Sequence, residues 1–280
     1  MLFRVLLLVL CFTGNIFNIF ACPFCKDLEI YGQTFKQLYS DVAKESSMIL
    51  MQTKHFYVIS DNYPVAYGHL LIVPKKHITS FAAINVDMAT EITFILSKLK
   101  NVFHTSEYIL FEHGCRLLGE TIISSGNSVY HAHLHFIPNI SINESAIKNL
   151  LSEYGLILKN SPLLNTSLDY LGDEKLLLFL KQNTECLVNG EKDFESYLFL
   201  KYSNDKAFVI PESHLASKVP SQFFRKVFAI IANGQEAFWD WKNPISDEIV
   251  KILQSRLTFV LTKFNEKTNL ANTCVNPCAG

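Results

Sequence analysis

The stretch NSVYHAHLHFIPN, residues 127–139, sets His131, His133 and His135 at alternate positions, with Ala132, Leu134 and Phe136 between and after them. Strict alternation of ring and apolar side chain is the period of a strand, in which successive side chains point to opposite faces. The strand should therefore carry the imidazoles about 6–7 Å apart on one face and the apolar groups on the other. Such a row can line a polyanionic ligand, each ring donating a hydrogen bond or, when neutral, acting as base or nucleophile. The same row can hold a metal, and the plainest alternative is three rings exposed on a strand with no shared task. Pro138 closes the run.

Working outward, ILMQT (49–53), HFYVIS (55–60), HLLIVP (69–74) and YILFE (108–112) read as strands, with Asp61-Asn62-Tyr63-Pro64 and Tyr67-Gly68 as turn segments. Met88, Ile92, Ile95, Leu96, Leu99 and Phe103 recur at helical spacing, which predicts a helix from about Val86 to His104 capped by Asn85 or Asp87. A polar loop from Gly114 to Asn127 leads into the histidine strand, and Asn143 to Tyr154 reads as a helix. This order favours an α+β fold: an antiparallel sheet of about five strands with helices on one side. From about residue 160 the pattern restarts. SYLFLKY (196–202) and AFVIP (207–211) form a hairpin, Ser221 to Asn233 a helix ended by Gly234, and Ile245 to Phe264 a long amphipathic helix. The expected division is 1–21 as a leader, 22–155 as the first unit and 156–280 as a smaller α+β extension. HLLIVPKKH (69–77) and KAFVIPESH (206–214) share a strand, Pro and His pattern, either a degenerate repeat or two ordinary strand ends.

With 280 residues, 49% of them hydrophobic, the chain can bury a sizeable core in one or two domains. A net charge of −1 and no basic run beyond Lys75 and Lys76 exclude nucleic acid as a bulk electrostatic partner. MLFRVLLLVLCFTGNIFNIFA reads as an export signal, giving a periplasmic, secreted or secretory-pathway protein. Anchoring in a membrane through that segment is the alternative, although Thr13, Gly14, Asn15 and Asn18 interrupt it. Of seven cysteines, Cys274 and Cys278 suit a local disulfide, and three readings stay open for the CPFC box at 22–25: a disulfide, half of a zinc site, or a lipidated Cys22.

HAHLHFI (131–137) resembles the motif of the histidine triad (HIT) superfamily of nucleotide hydrolases and transferases at every position. CPFC, HFYVISDNYPVAYGHLLIVPKKH and FEHG (111–114) are similar to further blocks of that family, in order, so the likeness covers about Cys22 to Asn139. The second half is more weakly similar, around VPSQFFRKV and WDWK, to the extension of longer members. The resemblance implies that His133 attacks the α-phosphorus of a nucleotide conjugate, such as a dinucleoside polyphosphate or a nucleotidyl phosphoramidate, and that water opens the resulting nucleotidyl-histidine. It implies a catalytic set of His133, His131, His135 and Ser128, with His135 and His69 contacting the phosphate and Ser128 contributing a hydroxyl. Asp61, with Asn62 beside it, would face the ribose hydroxyls. Glu112 departs from the pattern by standing where an amide is expected, so either it turns away or His113 supplies the donor. Cys22, Cys25, His77 and His131 match a closed structural zinc site, with no metal required for catalysis. A homodimer is a further implication. Two other classes remain: a nucleotide-binding protein without turnover, and a metal-dependent hydrolase with His131, His133 and His135 as ligands. Arg225, Trp239 and Trp241 are open as core, interface or substrate contacts.

Overall fold

The computed structural model describes residues 22–42, 48–118, 121–124, 129–153, 156, 185–188, 191–202, 206–215, 218–234, 239–240, 242 and 245–273. Residues 1–21, expected as a leader, and Ser128, Trp241, Cys274 and Cys278 lie outside the described residues. Among those described, no helix is long and apolar enough to cross a membrane.

The elements run α1 (Cys25–Tyr39), β1 (Ile49–Gln52), β2 (Phe56–Ser60), β3 (Leu70–Pro74), α2 (Val86–Phe103), β4 (Tyr108–Leu118), β5 (Thr121–Ser124), β6 (Leu134–Pro138) and α3 (Glu144–Glu153). They continue as β7 (Glu185–Val188), β8 (Glu191–Phe194), β9 (Tyr197–Lys201), β10 (Ala207–Pro211), α4 (Phe223–Asn233) and α5 (Asp247–Thr273). One antiparallel sheet takes seven strands in the order β1-β2-β3-β6-β4-β9-β10; β5 pairs with β4 alone, and β7 with β8 forms a separate hairpin. The protein is thus α+β, but the expected second region is not a layer of its own. Its strands β9 and β10 extend the first sheet through β4, with Phe111 opposite Leu200 and Glu112 opposite Phe199.

Helices cover both faces, not one. Val58, Ile72, Leu110, Leu134, Phe136 and Phe199 pack against the predicted stripe of α2, from Met88 to Phe103. The helix begins where Asn85 accepts the Met88 N–H at 2.9 Å, a side-chain cap for an otherwise unpaired donor. On the other face Phe111, Ile137, Leu198, Leu200 and Ile210 pack against α3 and α4, and Ile59, Leu71 and Val73 against α1 and α5. The second layer exists because β3, β6, β4 and β9 are apolar on both sides, so one helical cover would leave half of that surface wet.

Alternation decides which side chains meet on each face. Glu112 points away from the histidine face and is buried, where it accepts the Phe81 N–H at 2.9 Å and the Tyr197 hydroxyl. Ser80 donates to the same Tyr197 oxygen at 2.8 Å, closing a polar knot between β4, β9 and the turn at 80–82. Gly114 makes the approach of Tyr197 feasible, because a Cβ there would stand 2.4 Å from the ring. Gly114→Ala is therefore expected to lower stability by about 1–3 kcal/mol, from overpacking, in a denaturant titration.

Burial pushes the Glu112 carboxyl up to about 8, with the Tyr197 and Phe81 hydrogen bonds opposing. A carboxyl that holds its proton more tightly folded than unfolded contributes stability that is full below its ordinary 4.5 and lost as pH rises to about 8. Glu112→Gln, which stays neutral, should flatten that fall when melting temperature is followed over the same pH range.

Candidate active site

The strand of the triad starts at Leu134, so His131 and His133 stand on the extended segment before it and only His135 lies within it. Ala132, Leu134 and Phe136 enter the core beneath α2, as the alternation requires. The three rings do not converge on one point; each has its own partners.

His131 is fixed by its Nε2–H, which donates to the Pro74 carbonyl at 2.8 Å. Its Nδ1 lone pair is then turned to Cys22 Sγ at 3.3 Å and Cys25 Sγ at 3.8 Å. Cys25 Sγ also lies 3.2 Å from His77 Nδ1, and neither cysteine is in a disulfide. The four donor atoms lie within 4.8 Å of one another and could hold a metal ion. A tetrahedral ion with metal–sulfur distances near 2.3 Å and metal–nitrogen distances near 2.0–2.1 Å places its donors roughly 3.3–3.8 Å apart, close to the 3.2–3.8 Å of these sulfur–nitrogen contacts. A ring nitrogen held by a carbonyl on its far side is the usual support for such a ligand.

His133 is half-buried, and its Nδ1–H donates to the His131 carbonyl at 2.8 Å. Nε2 is consequently the bare nitrogen. Burial lowers the ring's affinity for a proton, with the His131 carbonyl opposing, so the neutral tautomer carries its lone pair on Nε2. Phe24, from the segment leading into α1, lies 5.4 Å from this ring, centroid to centroid.

His135 and His69 form a buried pair, 2% and 0% exposed, with His69 Nε2 2.9 Å from His135 Nδ1. The Val65 N–H can only donate, and it points at His69 Nδ1 at 3.1 Å, so that nitrogen accepts. His69 must then carry its proton on Nε2 and give it to His135 Nδ1, which leaves His135 with an Nε2–H. Burial, ahead of an opposing push from Asp61, takes the His69 pKa down to about 3. The His135 ring is clamped by Phe111, stacked 4.2 Å away at 9°.

Asp61 does not stand open toward hydroxyls. It is buried and ion-paired with Arg225 of α4 through Oδ2, while Oδ1 accepts the Tyr63 N–H at 2.8 Å. Burial raises this carboxyl, but the attraction of Arg225 and the hydrogen bond from the Tyr63 N–H outweigh it and hold the group below its ordinary range. The turn behind it is tied carbonyl by carbonyl. Tyr31 donates to Ser60 O at 2.8 Å, Tyr39 to Asn62 O at 2.6 Å, Arg225 to Tyr63 O at 2.6 Å and Asn233 to Val65 O at 3.0 Å, while Arg256 takes Pro64 O. Asn62 is drawn inward too, its amide donating to Tyr31 O at 3.0 Å. His113 lies beneath α4, where its Nε2 accepts the Phe224 N–H at 3.3 Å and its ring stacks on Phe224 at 5.3 Å. Burial takes its pKa down to about 3.

The structure therefore gathers Asp61, His69, His133 and His135 on one face, sends His131 to Cys22, Cys25 and His77, and packs His113 and Asn62 inward. Arg225 is the participant whose role local sequence left open. One arginine inside the apolar run FFRKVFAII was its signal, because a charge on a buried helical face needs a partner.

The HIT domain family matches residues 43–141. A HIT-like protein of Chlamydia trachomatis is 31% identical over 88 residues, which are 31% of this chain and 77% of that protein. One from Saccharolobus solfataricus is 28% identical over 91 residues, 32% of this chain and 63% of its own length. The adenosine 5'-monophosphoramidase of Saccharomyces cerevisiae is 27% identical over 118 residues, 42% of this chain and 62% of the enzyme. The match thus spans less than two thirds of the last two proteins. With a triad whose middle ring offers a bare nitrogen, and with that degree of identity to the chlamydial protein, the chain belongs to the HIT domain family.

Proposed function

We propose that the protein is a nucleotide hydrolase or transferase that cleaves the bond between the α-phosphorus of a nucleotide and its leaving group through His133. The observation that carries this reading is the hydrogen bond from His133 Nδ1–H to the His131 carbonyl, which commits the lone pair of Nε2 to attack. As the Nε2–P bond forms, the bond to the leaving group breaks. Water then adds to phosphorus and Nε2 leaves; one water proton offsets the charge of the departed leaving group, and a nucleoside monophosphate departs from a regenerated neutral ring. His135, held as an Nε2–H donor by His69, is suited to the charge that grows on a phosphoryl oxygen. The phosphoramidase named above is the reason to offer an adenosine phosphoramidate first. The family likeness extends the class to dinucleoside polyphosphates.

The Cys22, Cys25, His77 and His131 set suits zinc, whose bound charge would stabilise the two thiolates. These residues would then tie the start of α1 to the triad segment and fix His131, apart from the reacting nitrogen. A leader-like first segment supports export, with membrane contact only through it or a lipidated Cys22. A second reading, a nucleotide-binding protein without turnover, draws on Glu112, whose carboxyl stands where a phosphate-facing amide is expected and turns into the core. The triad as a three-histidine metal site is disfavoured by His131, whose free nitrogen lies with Cys22, Cys25 and His77 and away from His133 and His135.

Release of adenosine monophosphate from its phosphoramidate should fall at least about 10³-fold in His133→Ala and survive incubation with a chelator; no release by the unaltered chain would leave the second reading. Elemental analysis should find about one zinc per chain, reduced in His77→Ala. A zinc content near zero in protein purified without chelator would remove the metal from this account.

A further inference from the structure

Asp61 Oδ2 lies 3.5 Å from His69 Nε2 and 4.0 Å from His135 Nδ1, so a buried carboxylate faces two buried rings. Left alone, such a charge would draw a proton onto them. The pair has nowhere to put one without loss. A proton on His69 Nδ1 would confront the Val65 N–H at 3.1 Å, and one on His135 Nδ1 would confront the His69 Nε2–H at 2.9 Å. Each would replace a hydrogen bond by two donors pointing at one another.

Arg225 meets this same carboxylate oxygen, and it is itself held by the Tyr63 carbonyl at 2.6 Å and the Trp239 carbonyl at 3.3 Å. We propose that Arg225 is a positioning residue of the triad site: delivered by the C-terminal half, it neutralises Asp61, keeps His69 and His135 uncharged, and so preserves the bond that leaves His135 an Nε2–H donor. Other groups act on the pair without replacing Arg225. Arg256 and His133 bear on His69, and His133 and His113 on His135, all disfavouring a positive charge, after burial itself. Tyr31, Tyr39 and Tyr63 surround Asp61 as neutral phenols, their pKa values raised by burial first and then by the Asp61 charge. Among the described residues, Asp61 is the group that favours a charged His69, and Arg225 is the residue of α4 that pairs with Asp61.

The inference deepens the proposed function and rests on it for its kinetic consequence only. The test is the ring-nitrogen NMR titration of His69 and His135 in the full chain. In unaltered protein both rings stay neutral from pH 5 to 9. In Arg225→Met a proton should join the pair, its uptake moved up by about 1–3 pH units, and Asp61→Asn combined with Arg225→Met should return the rings to neutrality. The acidic limb of the pH profile of turnover should move with the rings. A merely structural arginine would lower stability and leave both titrations where they are, which would overturn the proposal. Should Arg225→Met not fold, Arg225→Gln carries the test: it keeps a hydrogen-bonding end but brings no charge to Asp61, so an upward shift is again expected, and an unchanged titration overturns the proposal. Absence of turnover in the unaltered chain would defeat the proposed function, while the ring titration would still decide the role of Arg225.

Discussion

An ionised carboxylate in a dry interior must have a partner, and the placing of Asp61 under α4 makes Arg225 that partner. Much of the architecture follows from this demand. To bring the guanidinium to the turn after β2, α4 must lie across the face of the sheet that carries His69, His113 and His135. To lie there it must offer an apolar surface, which Phe223, Phe224, Val227 and Phe228 provide against Phe111 and Leu200. The same placement lets Phe224 cap the His113 ring with a backbone N–H. One electrostatic requirement thus fixes where the second half of the chain sits on the first.

The two faces of the sheet divide labour by residue parity. Along β4, Phe111 and His113 turn to the histidine face while Glu112 turns to the other, and a shift of one residue would exchange them. The register with β6, where Phe111 stands opposite His135, is what sets an aromatic ring against the last histidine of the triad. The histidine row on one face and a buried polar knot on the other are consequences of the same alternation.

Local patterns carry a good part of this fold. The helical spacing of Met88, Ile92, Leu96 and Leu99 predicts α2 with its cap, and the alternation from His131 to Phe136 predicts which groups enter the core. The stripe of α1, Leu28, Tyr31, Phe35 and Tyr39, has the same spacing, but Gly32 and the polar residues around it weaken the signal next to a cysteine box that draws the eye. What local patterns cannot carry is partnership at a distance. Nothing around Tyr197 names Glu112, and nothing around Arg225 names Asp61, because each pair is brought together only by β9 joining β4 and by α4 folding back. The grouping of Cys22, Cys25, His77 and His131 was legible through the family likeness alone, since the thiols and the rings are more than fifty residues apart.

The turn from Ser60 to Val65 has its carbonyls held by side chains of α1, α4 and α5, helices drawn from near both ends of the chain. During synthesis the turn emerges early, while Arg225 and Arg256 emerge late. The carboxylate beside His69 therefore gains its Arg225 partner only when α4 docks, and contacts of such long sequence separation are slow to form. Assembly of the histidine face is in this way tied to synthesis through α5: a chain that stops short of α4 has the histidines but not the charge balance that surrounds them.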